Sequence, residues 1–274
     1  MRPGQAVTAL IGLWLWSNAL LAEPLVAILI DDLGHRWSEG RRALKLEGPV
    51  SLSILPASPV GRRIAEAAPE HGKEVMLHAP MQAVGGAPLG PNGLTTGMSH
   101  ALFLQTLTRQ LNALPGVAGV NNHMGSELTR HEQPMAWLMH ALKAQGLFFI
   151  DSRTTSLSLA GREAQRAGVA HWNRDLFLDH HRSTRAVNAA FDRMLELAAQ
   201  RGAVLAIGHP YPETLAVLER RLPELASQGA RLVPASTLVA VMQAAPAPSA
   251  DFARRQRQLG QAPRPQPAVP LLDP

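Results

Sequence analysis

The feature that most restricts this chain is a repeated alternation of short apolar runs rich in β-formers with longer helical stretches. The runs that read as strands are Leu25–Ile30, Val50–Leu55, Glu74–Leu77, Val117–Asn121, Leu147–Ile150, Val169–Trp172, Val204–Ile207 and Arg231–Val233. Between them, helical patterning covers Ser38–Leu46, Pro59–Ala68, His100–Leu114, Gln133–Gln145, Leu159–Arg166, Thr184–Arg201 and Thr214–Ser227. Strands such as VAILI and VLAI have no polar face, so both of their sides must be covered. Repeated β-α units provide that cover as helices outside a parallel sheet. The expected fold class is therefore α/β, a (β/α) barrel of about eight units, with an open doubly wound sheet as the competing arrangement.

The two ends of the chain break the pattern. Arg2 precedes a mostly apolar run, Ala6–Leu21, and the small residue Ala22 stands before Glu23-Pro24, as a secretory signal requires. Residues 1–22 are expected to form a signal peptide, with an uncleaved anchor as the alternative, so the remainder is exported to a periplasmic or envelope location. No later run reaches the roughly 18 apolar residues of a membrane span. From Ala244 to Pro274 the chain is dominated by Pro, Ala, Gln and Arg, too little apolar material to offset ordering, and is expected to be a disordered tail. One domain, residues 23–243, is left between. Its Gly- and Pro-rich stretch Gln82–Ser99 suits a flap over a substrate.

Polar residues gather where the strands finish. Asp31 and Asp32 follow the first strand, His78 the third, Asn121, Asn122 and His123 the fourth, Asp151 the fifth and His209 the seventh. In a parallel barrel those ends share one rim, where active sites are assembled from residues distant in sequence. The chain contains no cysteine, which excludes thiolate metal sites, disulfides and a Cys nucleophile and leaves His, Asp and Glu to hold any metal. Two adjacent carboxylates at a strand end point in opposite directions, so one can ligate a cation while the other acts as a base. Two histidines complete an O,N,N set with room for water, and His209 can protonate a leaving amine. That chemistry is hydrolysis. Other chemistries find less support: GVNNHMGSEL around Ser126 is not a nucleophile elbow, and the Gly85–Gly97 stretch lacks the lysine of a phosphate loop. A net charge of +5 is too mild to indicate nucleic acid.

The strings IDDLG (Ile30–Gly34), EVMLHAPM (Glu74–Met81), GVNNHMGS (Gly119–Ser126), FIDSRTT (Phe149–Thr155), RDLFLD (Arg174–Asp179) and AIGHP (Ala206–Pro210) resemble the divergent polysaccharide deacetylases, a branch of the NodB-type carbohydrate esterases. The resemblance covers about residues 24–240 and implies a distorted (β/α) barrel of seven to eight parallel strands, a divalent metal, usually zinc, and removal of acetyl groups from N-acetylated sugars. On that analogy Asp31 is the base, Asp32 and His78 are metal ligands and His209 is the acid. Ordinary members carry a second histidine four residues after the first, where this chain has Gln82, so His123 is expected to take the vacant coordination place. Asp151, paired with Arg153, is expected to act at the catalytic centre or to position His209. Asn122, Arg153 and His35 are expected to meet the substrate, with Trp37 and Trp172 as candidate stacking platforms. The implied partner is an envelope polysaccharide. The alternative is a catalytically silent envelope protein that binds a glycan or a protein through the same rim.

Overall fold

The computed structural model describes residues 23–90 and 92–244. The predicted signal peptide and tail residues 245–274 lie outside them. In chain order the elements are β1 (Leu25–Leu33), α1 (Trp37–Leu44), β2 (Ser51–Ile54), α2 (Gly61–Ala67), β3 (Glu74–Met81), α3 (His100–Asn112), β4 (Val117–Met124) and α4 (Glu132–Ala144). They continue with β5 (Phe148–Asp151), α5 (Ala160–Ala167), β6 (His171–Asn173), β7 (Leu176–Phe177), α6 (Thr184–Arg201), β8 (Ala203–Gly208), α7 (Pro212–Arg221), β9 (Arg231–Leu232) and α8 (Ala235–Ala244).

Every strand pairing is parallel, in the order β6-β5-β4-β3-β2-β1-β8-β7, with β9 against the start of β1. The two edge strands are separated in sequence only by Arg174 and Asp175. So short a link spans no more than about 11 Å, so the sheet must curl until its edges meet. Segment 171–177 runs in one direction, pairing first with β5 and then with β8. This change of partner closes the distorted (β/α) barrel expected from the sequence.

Strand alternation divides the apolar residues into two cores. Val26, Ile28 and Ile30 of β1 face the outer helices, in one cluster with Leu44, Ile64, Phe103, Leu138 and Phe191. Leu25, Ala27 and Leu29 face inward, against Met76, Phe148, Ile150, Leu205 and Ile207. Carried one step up each strand, the inward-facing positions are Asp31, His78, Asn121, Ser152 and His209. The barrel interior is thus apolar below and polar at the mouth. Helix α8 closes the bottom with Ala235, Leu238 and Val239 in the inner core. The amides that open it donate to Ser51 Oγ (Ala235 N, 3.0 Å) and Glu74 Oε1 (Ser236 N, 3.2 Å), at the lower ends of β2 and β3.

Several boundaries differ from the sequence reading. Helix α8 occupies Ala235–Ala244, a stretch of the domain to which the sequence reading assigned no element, because its apolar residues read equally as loop when the cavity they plug is unknown. Helix α7 stops at Arg221 rather than Ser227, and two 3-10 turns follow. Pro223 has no amide proton to continue the ladder. Strands β3 and β4 extend to Met81 and Met124 because Pro80 pairs with His123 and Met81 with Met124. The flap is anchored by backbone bonds from Leu94 N to Pro80 O (2.8 Å) and Gln82 N to Leu94 O (2.9 Å).

Candidate functional site

Alternation alone would send Asp31 and Asp32 to opposite faces of β1. It does not, because Asp32 adopts a left-handed backbone with φ 56°, at a register shift between Ile30 and Leu33. An L-residue takes that conformation only at a cost that the surroundings must offset. The result is that both carboxylates converge on one imidazole: His78 Nε2 lies 3.1 Å from Asp32 Oδ1 and 3.7 Å from Asp31 Oδ2.

Three ligand atoms meet beside them. His123 Nδ1 lies 2.8 Å from Asp32 Oδ1 and 3.1 Å from His78 Nε2. The donor atoms of Asp32, His78 and His123 all fall within 4.8 Å of one another. The expected alternative, Gln82, is turned away: its Oε1 accepts from Thr96 N (2.8 Å) and Thr96 Oγ1 (3.0 Å), tying the flap to the end of β3.

Hydrogen bonding sets the chemistry of this trio. Asn121, fully buried on β4, donates from Nδ2 to both oxygens of Asp31 (2.9 and 3.1 Å), so its Oδ1 is the acceptor. Ser53 Oγ and His78 Nδ1 both donate to that oxygen, the latter at 3.1 Å. With its proton committed at Nδ1, the neutral His78 ring presents the bare lone pair of Nε2 to Asp32 and His123. Asp32 Oδ1 is itself buried and makes no well-formed hydrogen bond. Lone pairs aimed at one another this closely repel unless a positive charge lies among them, and an O,N,N set fits a divalent cation such as zinc. The electrostatics agree. Burial acts against the charge of Asp32, but the close approach of the His123 and His78 rings more than reverses that and holds its pKa well below the usual carboxylate range. Burial pushes His78 down, while Asp31, Asp32 and Asn121 more than reverse that and raise it.

His209 stands on the opposite side, with Nε2 3.9 Å from Asp32 Oδ2. Its orienting partner is Asp179, to which the sequence reading gave no role. Asp179, buried just after β7, accepts from His209 N (2.6 Å) and Thr214 Oγ1 (2.8 Å) and holds His209 Nδ1 at 2.9 Å. Burial alone lowers the His209 pKa, whereas Asp179, with smaller help from Asp31 and Asp32, raises it above the ordinary value. The expectation that Asp151 or Arg153 positions His209 is corrected here: β5 lies two strand positions from β8, and β7, the neighbour of β8, supplies the carboxylate. Asp151 Oδ1 instead accepts from Arg153 N (2.8 Å), while its buried Oδ2 has no hydrogen-bond partner and the Arg153 guanidinium is 4.0 Å away.

The substrate contacts expected from sequence separate in the same way. Asn122 is a correction: it points to the face opposite Asn121 and His123, where its amide donates to Met124 O (2.7 Å) and accepts from Ser152 N (2.9 Å). It buttresses the β4–β5 junction and is not available to a ligand. His35 is exposed and, with His123, lines a groove of about 390 Å³ whose walls include Pro56, Pro59, Pro80 and Leu89. Arg153 is half-buried beside the mouth with φ 51°. Asn121, which the sequence put at the rim without a role, and Asp179, which it did not put there, are the two site residues that sequence reasoning missed. Stepping back two positions from His123 along a strand identifies Asn121. Nothing local identifies Asp179, because its partnership with His209 depends on β7 pairing with β8.

The chain resembles known proteins. The family model described as divergent polysaccharide deacetylase matches residues 28–239. An uncharacterized protein of Haemophilus influenzae is 34% identical over 246 residues, covering 86% of this chain and 88% of that protein. The protein YibQ of Escherichia coli, also uncharacterized, is 36% identical over 233 residues, covering 85% of this chain and 72% of that protein. Among solved structures, an uncharacterized protein of Agrobacterium tumefaciens superposes with a TM-score of 0.76 at 23% identity, covering 81% of this chain and 91% of that one. The family match spans the strands that deliver Asp31, Asp32, His78, Asn121, His123 and His209, and on that extent the chain belongs to the divergent polysaccharide deacetylase family.

Proposed function

We propose that the chain is an exported, metal-dependent hydrolase that deacetylates an N-acetylated envelope polysaccharide. The observation that carries the reading is the convergence of Asp32, His78 and His123 donor atoms within 4.8 Å, flanked by Asp31 on one side and His209 on the other. Family membership points to the substrate class, and the signal read in the sequence at residues 1–22 points to export. Among the described residues no helix is long and apolar enough to cross a membrane.

A divalent cation held by Asp32, His78 and His123, zinc on the strength of its donors, would polarise the scissile carbonyl and acidify the attacking water. The protein's own groups do the rest. Asp31, held by both amide hydrogen-bond contacts from Asn121, is aimed at the site and accepts the proton that the water loses. His209 Nδ1 donates to Asp179, so Nε2 is the nitrogen that faces the reacting centre and carries the transferable proton. As the carbon–nitrogen bond breaks, that proton goes to the leaving nitrogen, and the products are acetate and a free amine. The catalytically silent alternative draws on the missing second histidine, and His123 standing beside the other two candidate ligands supports the hydrolase over it.

The test uses the full chain. About one zinc per chain by elemental analysis, acetate release from chitooligosaccharides or peptidoglycan, and loss of release in Asp31→Asn with zinc retained are the expected results. General-base removal should cost about 10²–10⁴ in rate. Zinc retention with no acetate from any N-acetylated glycan would replace the hydrolase with a binding protein. Cell fractionation tests export, and a cytoplasmic location would overturn that part.

A further inference from the structure

Sugars are commonly held by stacking a pyranose on an exposed aromatic face. At this mouth those faces are occupied. Tyr211 stacks on His209 with ring centroids 5.4 Å apart and planes at 28°, and the Arg182 guanidinium sits 3.7 Å from the Tyr211 centroid. Both groups are thus within contact distance of the one tyrosine ring. A second pair of this kind adjoins the candidate acid: Phe177 lies 5.9 Å from the His209 ring, and Arg174 lies 3.8 Å from the Phe177 centroid. His209 thus neighbours two aromatic rings, each of which carries a guanidinium. Trp37, the remaining platform at this end, is covered on one face by Arg63 at 3.8 Å. Trp172 lies elsewhere, in a cleft with Gln243 of α8.

Among the described residues four arginines stack on aromatic rings, and of these only Arg221 also pairs with a carboxylate. Arg42, Arg162, Arg166 and Arg221 each form ion pairs with carboxylates. Among the described residues, Arg63, Arg174 and Arg182 pair with none. Arg174 is fixed by hydrogen bonds to Ser152 O (2.8 Å) and Arg153 O (3.1 Å). Arg182 is exposed, yet it is held by the Tyr211 ring and by a hydrogen bond to the Tyr211 hydroxyl. An arginine immobilised on an aromatic ring with most of its donors free is pre-organised for a carboxylate or phosphate, at little further entropic cost.

We propose that the mouth recognises an N-acylated substrate through an anionic group beside the scissile amide, with Arg182 as the principal contact and Tyr211 as its carrier. The inference rests on the hydrolase reading for the place of the amide, and it specifies an acidic glycan rather than a neutral one. Carboxylate and phosphate share the chemistry that a guanidinium reads.

Binding of three small sugars to the full chain by calorimetry tests it apart from turnover: N-acetylglucosamine, N-acetylmuramic acid, which adds a lactyl carboxylate, and N-acetylglucosamine 6-phosphate. At least one acidic sugar is expected to bind about tenfold more tightly than the neutral one at low salt, and the advantage to shrink as salt screens it. The preferred acid identifies the anion. Arg182→Gln should abolish the advantage and Arg182→Lys should restore part of it. Arg193→Gln, which removes the same charge from an exposed site on α6, should leave it intact. Equal affinity for all three sugars, no binding of either acid, or an advantage that survives Arg182→Gln would overturn the proposal. Selective binding of an acid without acetate release would leave it standing and overturn the hydrolase.

Discussion

Single residues decide whether the trio can hold a cation, and two of them make separable predictions. His123 supplies a ligand nitrogen 2.8 Å from Asp32 Oδ1, whereas the Gln82 oxygen is spent on Thr96. Zinc stoichiometry should therefore fall from about one to well below it in His123→Ala and stay near one in Gln82→Ala. Gln82→His, although it restores the usual family residue, should raise neither zinc content nor activity. Asp179 acts through another group. It raises the His209 pKa against the effect of burial, so Asp179→Asn lets His209 lose its proton at a lower pH. The active form is the protonated ring, and the alkaline limb of the kcat profile should accordingly shift toward lower pH. Its maximum should fall about 10²-fold. A pH profile with an unmoved limb would show that Asp179 serves only the fold.

At the scale of elements, the site depends on how the turn after β1 docks against the turn after β2. Gly34, with φ 126°, lies so close to that second turn that a Cβ would stand 1.9 Å from Ser58 Oγ and 2.6 Å from Ser58 Cβ. The approach presses the Asp31–Asp32 strand end against the groove that His123 lines. Gly34→Ala adds both a steric overlap and a strained backbone, together worth about 2–3 kcal/mol. The expected outcome is a fall of roughly 5–10 °C in Tm together with weakened zinc binding. Ser58→Gly in the same chain should recover part of the stability, since the overlap disappears while the positive φ remains. A Gly34→Ala protein with unchanged melting would mean that the two turns are not in contact.

For the whole molecule, the bottom of the barrel is as consequential as the mouth. Val233, directly after strand β9, and Leu238 and Val239 of helix α8 are all buried in the inner core. At about 1.5–3 kcal/mol for each buried side chain, their loss approaches the whole stability of a typical domain. A chain ending at Ala230 should therefore fail to show a cooperative thermal transition, and it should hold no zinc. Much of this architecture was legible beforehand. The two-sided apolar strands and their spacing dictate a parallel sheet wrapped by helices, and placing Asp31, Asp32, His78, His123 and His209 at strand ends gathers them at one mouth, because strand direction alone determines which end is shared. What only the tertiary structure decided are the relations that cross strands. The left-handed turn at Asp32 brings adjacent carboxylates onto one imidazole where alternation would part them. Asn121 faces the site while Asn122 is consumed by backbone, and Asp179 reaches His209 because segment 171–177 changes partner to close the barrel. Periodicity reports how a residue relates to its own element, whereas a hydrogen bond between elements depends on register and closure, which are fixed only when the core packs.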